Sequence, residues 1–199
     1  MSAHNKDIID QLAGVKAGSS LDHLRARRPV TKEQAQASWE VLFQPANETE
    51  ISITERLAVG LFVSELHGDV ASRKLYETKL KNQPDGEQLA DIIRKIAQTN
   101  KAEGPYGHFP QGPLSAEDQD GPSFVQSKEH AQVVSQRLWA ALTHAHFLVF
   151  HPRDANPDRL KILTNAGWSA TGIITLSQLI SFLAFQLRVV SGLKILAEA

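Results

Sequence analysis

The sequence predicts an all-α protein. Helical periodicity runs through most of its 199 residues, alternating strand patterns are hard to find, and capping residues separate the apolar segments. A chain of this length can bury one sizeable core. We therefore expect an N-terminal helical arm at residues 1–30 and a single helical domain at residues 31–199.

The arm is expected to hold one short helix at residues 6–15, whose apolar side chains share a face before Gly14. Arg25, Arg27 and Arg28 form the only basic cluster in the chain. A short run of this kind is usually solvated, so we expect it to connect two helices rather than to bind a ligand.

Four helices are expected between the arm and residue 100. Thr31 and Gln34 have capping-box spacing and predict a helix that ends at about Phe43. Thr54 is expected to cap a strongly apolar helix that stops at Gly68. The other two are predicted at Val70–Lys81, capped by Asp69, and at Gly86–Thr99, opened by Pro84 and Asp85.

A long loop is expected at residues 100–123, where glycine and proline break all periodicity. Loops of this length in a compact domain are usually functional or disordered. Tyr106 and His108 lie in it, whereas disordered linkers tend to lack aromatic residues. The two side chains are therefore candidates for a lid over a pocket. The alternative, slightly favoured, is an ordered loop packed on the core or on a partner subunit.

The final third is expected to be helical again. A long helix from Val125 to about Phe150 should end at His151-Pro152, and Asn156 should cap a short helix with Pro157 at its first position. Ser169 should cap a last, mostly buried helix. His144, His146 and His151 contain no pair four residues apart, so we expect structural histidines and no metal site.

Composition excludes several classes of protein. The net charge of −1 does not suit a nucleic-acid or membrane-surface binder, because such affinity comes from clustered Lys and Arg. There are no cysteines, so disulfides, zinc-thiolate sites and iron–sulfur clusters are excluded. No nucleophile elbow, phosphate loop or dinucleotide fingerprint is present. We expect a cytoplasmic protein without a cofactor, since no signal peptide or uninterrupted membrane span is visible.

Two stretches of the chain carry a resemblance to a known family. The first is a turn of alanine, glycine and an aromatic residue at Ala166-Gly167-Trp168-Ser169, followed by a capped long helix that ends with Phe185, Arg188, Gly192 and Leu193. The second, Glu55 to Gly68, is an apolar helix that ends in glycine. At the level of helix order over residues 38–196, the chain resembles the peroxidase-related branch of the carboxymuconolactone decarboxylase and alkyl hydroperoxidase D superfamily.

The chain departs from this family at the redox centre. The resemblance implies two cysteines after the glycine, but those positions hold Asp69 and Ser72. The family's histidine position holds Tyr76, and its glutamate position holds Leu57, with Glu55 on another helix face. Serine is not a redox group and leucine cannot relay a proton, so dithiol chemistry is excluded.

The residues around this remnant site have two interpretations each. Asp69 is an acid–base group or, as we favour, only a helix N-cap. His67 is a general base or a helix C-terminal histidine, with neither favoured. Arg188, in an apolar helix, is expected to pair with a carboxylate or carbonyls in a structural or pocket-wall role, with Gln186 and Gln178 in the same polar network.

Two functions remain open from the sequence. The first is a non-redox binding or assembly protein, a partner of a cysteine-bearing hydroperoxidase relative. The second is a cofactor-free acid–base enzyme of decarboxylase or isomerase type, acting on a small organic acid or lactone through His67, Asp69, Tyr76 and His108. A third possibility is that the chain is similar to a peroxidase in sequence alone and has none of the dithiol chemistry of a peroxidase. The resemblance and the apolar helices also imply a homo-oligomer, whether a dimer, trimer or hexamer.

Overall fold

A computed structural model describes residues 7–127, 130 and 132–198. Within these residues there is no strand, only the isolated bridge between Gly107 and Gln119, so the all-α prediction is confirmed. The α-helices are Ile8–Ala13 (α1), Ser20–Ala26 (α2), Pro29–Phe43 (α3), Ile53–His67 (α4), Val70–Lys81 (α5), Gly86–Thr99 (α6), Gln136–Phe150 (α7), Pro157–Asn165 (α8) and Ala170–Glu198 (α9), with short 3-10 helices at Pro113–Glu117 and Pro152–Asp154.

Helix α4 is the centre of the bundle. It is buried on all sides from Arg56 to Ser64, and α5, α6, α7 and α9 pack around it. A helix that is apolar all round has to be enclosed in this way. It begins at a capping box of Ser52 and Glu55, so the cap predicted at Thr54 is wrong. Ser52 has a glutamate three residues later, as a capping box requires, whereas Thr54 does not.

Helix α9 forms one long side of the bundle. Its inner side packs on α4, α1, α3 and α7. It is long and apolar enough to cross a membrane by length and composition, and 44% of its most apolar window is buried inside the molecule. Core helices pass the same test, so this feature is weak support for a membrane span.

The arm packs tightly onto the bundle. Helix α1 buries Ile8, Ile9 and Leu12 and contacts α9. The Arg25 side chain, on α2, pairs with Asp7 at 2.9 Å and Asp10 at 2.8 Å. The prediction that Arg25 lies in a solvated connection between helices is therefore wrong, because its guanidinium bonds to Asp10 of α1 and to Asp7, the N-cap of α1. The arm prediction for residues 1–6 lies outside the described residues.

Two predicted helix starts also differ from the structure. Helix α3 begins at Pro29 rather than after Thr31, because proline suits the first helical position. Helix α7 begins after the N-cap Ser135 rather than at Val125. The backbone of Val125 is held instead by the side chain of Asn100, which accepts its N–H at 2.6 Å and donates to its carbonyl at 3.1 Å. Residues 128, 129 and 131 of the predicted helix lie outside the described residues.

Candidate functional site

The junction of α4 and α5 positions the first residues of the candidate site. Gly68 adopts a left-handed conformation with φ 71°, which ends α4 and turns the chain sharply into α5. Asp69 follows as the N-cap of α5, as predicted. His67 and Asp69 thus lie on opposite sides of a tight turn, in positions fixed by backbone geometry.

Both carboxylate oxygens of Asp69 are engaged. Oδ1 accepts the backbone N–H of Ser72 at 2.7 Å, and Oδ2 pairs with Nζ of Lys194 at 2.7 Å. Burial disfavours the charged carboxylate, but the hydrogen bonds from Lys194 and Ser72 outweigh this and lower the pKa of Asp69. A group with a lowered pKa is a weak base at neutral pH. The geometry therefore favours the capping interpretation and adds an ion pair to it.

Tyr76 fills the interior of the site. Its side chain is completely buried, and its hydroxyl donates a hydrogen bond of 3.1 Å to Oε1 of Gln186 on α9. Burial raises the pKa of Tyr76 far above its ordinary value. The phenol therefore stays protonated and serves as a hydrogen-bond donor inside the core.

Gly60 makes room for the tyrosine ring. A Cβ at position 60 would lie 2.9 Å from Cδ1 of Tyr76 and 3.3 Å from Cε1 of Phe43. The rings of Phe43 and Tyr76 pack with their centroids 4.7 Å apart. The Tyr76 side chain is thus part of a close-packed aromatic layer, and the ring occupies the space beside α4.

Three buried polar atoms close to Tyr76 have no hydrogen-bond partner in the described part of the chain. They are Oγ of Ser72, Nε2 of Gln186 and Nε1 of Trp39. Two of the three still make weaker polar contacts: the Trp39 indole lowers the pKa of Tyr76 and so offsets part of the effect of burial, and the Ser72 side chain lowers the pKa of Asp69. The amide nitrogen of Gln186 makes no such contact within the described residues, and a buried polar atom without a partner costs stability.

His67 and Arg188 lie at the edge of the site. Nδ1 of His67 donates to the carbonyl of Val63 at 2.9 Å. Burial lowers the pKa of His67, and the charge of Arg188 lowers it further. Arg188 itself is exposed and forms no hydrogen bond or ion pair within the described residues. The prediction that Arg188 pairs with a carboxylate or carbonyls is therefore wrong, because its side chain lies at the surface, where water solvates the charge. Of the two glutamines predicted to join it, Gln186 forms the buried interhelical bond and Gln178 is exposed.

Leu57 and Glu55 lie at the opposite end of α4 from Asp69. Leu57 is buried in the core. Glu55 completes the capping box and pairs with Arg137 at 2.7 Å. Fourteen residues separate Glu55 from Asp69, which is about 21 Å along a helix. Neither residue can exchange a proton with the groups around Asp69.

Tyr106 and His108 are held at the C-terminal end of α7. The Tyr106 ring packs on His151 with centroids 5.4 Å apart. The backbone N–H of His108 donates to Asp154 at 2.9 Å, and its Nε2 lies 3.2 Å from a carboxylate oxygen of Asp120. No hydrogen bond or ion pair within the described residues joins these two side chains to the α4–α5 junction. This arrangement favours the ordered-loop interpretation.

Two histidines of α7 are buried structural groups. Nε2 of His144 lies 3.0 Å from Oγ of Ser177, and Nε2 of His146 lies 3.1 Å from the carbonyl of Asn100. Burial lowers the pKa of both to about 4. Among the described residues there is no group of three or more His, Asp or Glu side chains that could hold a metal ion.

One network was not predicted from the sequence. Arg137 pairs with Glu55, donates to the carbonyls of Gly167 and Glu50, and stacks 3.8 Å over the ring of Trp168. It joins the N-terminal ends of α4, α7 and α9. An arginine that bonds to a carboxylate and two carbonyls and stacks on an indole ring depends on residues far apart in the chain, so no local sequence signal could have found it.

Two concave regions of the surface are lined by other parts of the chain. One concave region lies between α3 and α9 and another, of about 250 Å³, beside α7 and α8. Comparison with known proteins gives no further assignment: no family model, curated protein or solved structure matches the chain.

Proposed function

We propose that the chain is a non-redox binding or assembly protein of the cytoplasm, built on a helical bundle that resembles the alkyl hydroperoxidase D type. Its partners are other copies of itself or a cysteine-bearing hydroperoxidase relative. It uses no cofactor. The proposal rests on the resemblance in helix order, together with the replacement of every redox and proton-relay position.

The buried Tyr76 is the observation that carries the proposal. Its ring packs on Phe43 and against Gly60, and its hydroxyl bonds to Gln186, so the space beside α4 holds core side chains. A catalytic centre needs room for a substrate next to a nucleophile or base. A filled, hydrogen-bonded position suits a scaffold that has kept its helix packing and lost its chemistry.

The acid–base alternative has less support. It needs Asp69, Tyr76 and a histidine around one substrate. Asp69 is engaged by Ser72 and Lys194, Tyr76 is buried and protonated, and His108 pairs with loop carboxylates. No observation brings these groups together on an open surface, so no second function is proposed.

A peroxide-consumption assay tests the absence of redox chemistry. Purified, metal-free protein is mixed with cumene hydroperoxide and a dithiol donor, with a dithiol peroxidase as positive control. We expect the rate of the protein-free reaction. Turnover above that rate would contradict the proposal. The same preparation is then offered lactone and β-keto-acid substrates. Catalysis lost in Asp69→Asn but not in Glu87→Gln, on the distant helix α6, would establish the acid–base alternative.

The binding role has its own test. The chain is co-expressed with a cysteine-bearing member of the superfamily, and the products are separated by size-exclusion chromatography. We expect either a mixed complex or an assembly of this chain alone. A protein that stays monomeric and binds no relative would contradict the assembly role.

A further inference from the structure

A small cavity lies between α7 and α8. It is more enclosed than the two concave regions of the surface, and its volume of about 10 Å³ admits roughly one water-sized group. Sites for small molecules combine an apolar wall with a few convergent polar groups. Most of the wall of this cavity consists of three apolar and three polar side chains, which are Phe147, Ile162, Leu163, Thr143, His144 and Arg159.

The ring of His144 has one engaged nitrogen and one free nitrogen. Nε2 lies 3.0 Å from Oγ of Ser177 on α9. Nδ1 forms no hydrogen bond within the described residues, yet it is not one of the fully enclosed polar atoms there. His144 as a whole is only 7% exposed, and it lines the cavity. Nδ1 is therefore the ring atom that a molecule in the cavity can reach.

Ser177 determines which nitrogen of His144 carries the proton. The Ser177 hydroxyl has no other acceptor within the described residues, so it donates to Nε2, which must then be unprotonated. Burial lowers the pKa of His144 to about 4, so the ring is neutral at pH 7 and has a single proton. This proton lies on Nδ1, and the cavity is therefore provided with a hydrogen-bond donor.

Arg159 places a positive charge beside the cavity. Its guanidinium carbon lies 4.6 Å from the centre of the Phe147 ring, which holds the side chain at the mouth. The guanidinium forms no hydrogen bond or ion pair within the described residues, since the neighbouring Asp158 pairs with Lys161 instead. The donors of Arg159 thus remain available to a ligand.

The third polar side chain adds no donor. The hydroxyl of Thr143 donates to the carbonyl of Trp139 at 2.8 Å, so its proton is already used. The described residues contribute no carboxylate to the wall of the cavity. The groups that remain are one neutral N–H of His144 and one cation, Arg159. This set suits a ligand group that only accepts hydrogen bonds and has a single negative charge.

We infer that the cavity binds the carboxylate of a small monocarboxylic acid. One carboxylate oxygen enters and accepts the Nδ1 proton of His144, and the other accepts from the guanidinium of Arg159 at the mouth. The short apolar part of the acid stays outside, against the exposed side chain of Ile162. The site gives the chain a small-molecule ligand, which goes beyond the proposed assembly role and does not depend on it.

The size and charge of the cavity disfavour other ligands. A phosphate or sulfate dianion carries a second charge that Arg159 alone cannot neutralise, and the cavity has room for only one oxygen. A carboxamide brings no charge to the guanidinium. An inorganic monovalent anion has the charge but no apolar part for Ile162. The few contacts predict a dissociation constant on the order of millimolar for a four-carbon acid.

A titration followed by 1H–15N NMR tests the inference on the full chain. Sodium butyrate is added at pH 7 in chloride-free buffer, and butyramide and sodium nitrate are added to matched samples. We expect saturable shifts of α7 and α8 amides with butyrate, and binding weaker by roughly 10-fold or more with the other two. Equal binding of butyramide would overturn recognition of a negative charge. Equal binding of nitrate would overturn the assignment to a carboxylic acid.

Two pairs of variants test the position of the site. Arg159→Gln should weaken butyrate binding by roughly 10-fold or more, whereas Arg153→Gln should not, because the Arg153 guanidinium lies over Phe109. Ile162→Trp should cover the mouth and weaken binding, whereas Leu160→Trp, at an equally exposed position of α8, should not. Circular dichroism should show all four folded. Parent-like binding by Arg159→Gln or by Ile162→Trp would overturn the site.

A second NMR measurement tests the donor directly. Long-range 1H–15N spectra of the ligand-free protein report which ring nitrogen of His144 carries the proton. We expect a neutral ring protonated at Nδ1, and a ring protonated at Nε2 would overturn the inference. None of these results changes the outcome of the peroxide assay or of co-expression with a cysteine-bearing relative. Failure of this site is therefore distinguishable from failure of the proposed function.

Discussion

The hydroxyl of Tyr76 and the side-chain amide of Gln186 form a hydrogen bond of 3.1 Å across 110 residues of sequence, with both side chains fully buried. The bond joins α5 to α9 through the core. It is a polar link inside an apolar layer, so each partner depends on the other to offset the cost of burial.

Tyr76→Phe should lower the free energy of unfolding by about 1–3 kcal/mol, because it leaves Oε1 of Gln186 buried without a donor. Adding Gln186→Leu should recover part of the loss, since it removes the orphaned amide along with its unpaired Nε2. Urea unfolding of the two single variants and the double variant gives the coupling energy.

The other tyrosine of the chain is the matched control. Tyr106 is only partly buried, and its hydroxyl accepts a bond from the exposed backbone of Glu103. Tyr106→Phe should therefore change stability by less than about 0.5 kcal/mol. Equal losses in the two Tyr→Phe variants would show that the buried bond has no special role.

Gly60→Ala should destabilise the protein by about 1–3 kcal/mol, although alanine is the better helix former. The new methyl group would lie 2.9 Å from the Tyr76 ring, in a layer that cannot expand easily. Gly192→Ala is the control, because nothing lies within 4 Å of its added Cβ. It should stabilise α9 by as much as about 1 kcal/mol. Thermal unfolding of both variants separates crowding from helix propensity.

Local signals explain which helices could be predicted from the sequence. The bounds of α5 and α6 agree with the prediction because Asp69, Gly68 and Asp85 mark those ends within one turn. The shortened start of α7 could not be predicted, since Val125 is held by Asn100, 25 residues earlier. A hydrogen bond between residues at the two ends of a long loop leaves no periodic pattern in the sequence.

In the candidate site, too, the local features could be predicted from the sequence and the contacts between distant residues could not. Asp69 as an N-cap follows from its place before a helix. Its ion pair with Lys194 and the bond from Tyr76 to Gln186 both depend on how α9 packs against α5, more than 100 residues away. The sequence predicted one polar network of Arg188, Gln186 and Gln178, but only Gln186 forms a buried bond, and Arg188 and Gln178 are exposed.

Asp69→Ala should cost about 1–2 kcal/mol of stability, because it removes the N-cap as well as the ion pair with Lys194. Asp69→Asn should cost less, since asparagine is also a good N-cap. The pKa of Asp69 is lowered in the folded protein, so its carboxylate contributes stability at pH values above 3.8, the ordinary pKa. This contribution is lost as the pH falls through the pKa that Asp69 has in the folded protein.

Comparison of the parent with Asp69→Asn by urea unfolding at pH 7 and at about pH 3 checks this sign. The difference between the two proteins should shrink at the lower pH. Lys194→Gln should behave like Asp69→Asn at pH 7 if the ion pair accounts for the effect. A difference that grows as the pH falls would contradict the lowered pKa.

His144 and His146 should make the fold sensitive to mild acid. Burial lowers the pKa of both from 6.5 to about 4, so the unfolded chain binds protons more readily than the folded one. Stability is therefore complete above pH 6.5 and declines as the pH falls from 6.5 toward 4. Each histidine can contribute as much as roughly 3 kcal/mol over this range. The lowered pKa of His67 acts in the same direction.

Urea unfolding at several values between pH 7.5 and pH 4 measures the slope. His144→Gln and His146→Gln should each flatten it, even where they reduce stability at pH 7.5. His23 is exposed on α2, so His23→Gln should leave the slope as it is in the parent. The assignment to His144 and His146 fails if the slope between pH 6.5 and 4 is undiminished in a protein that carries both α7 substitutions, since His67 is then the one histidine with a lowered pKa left among the described residues.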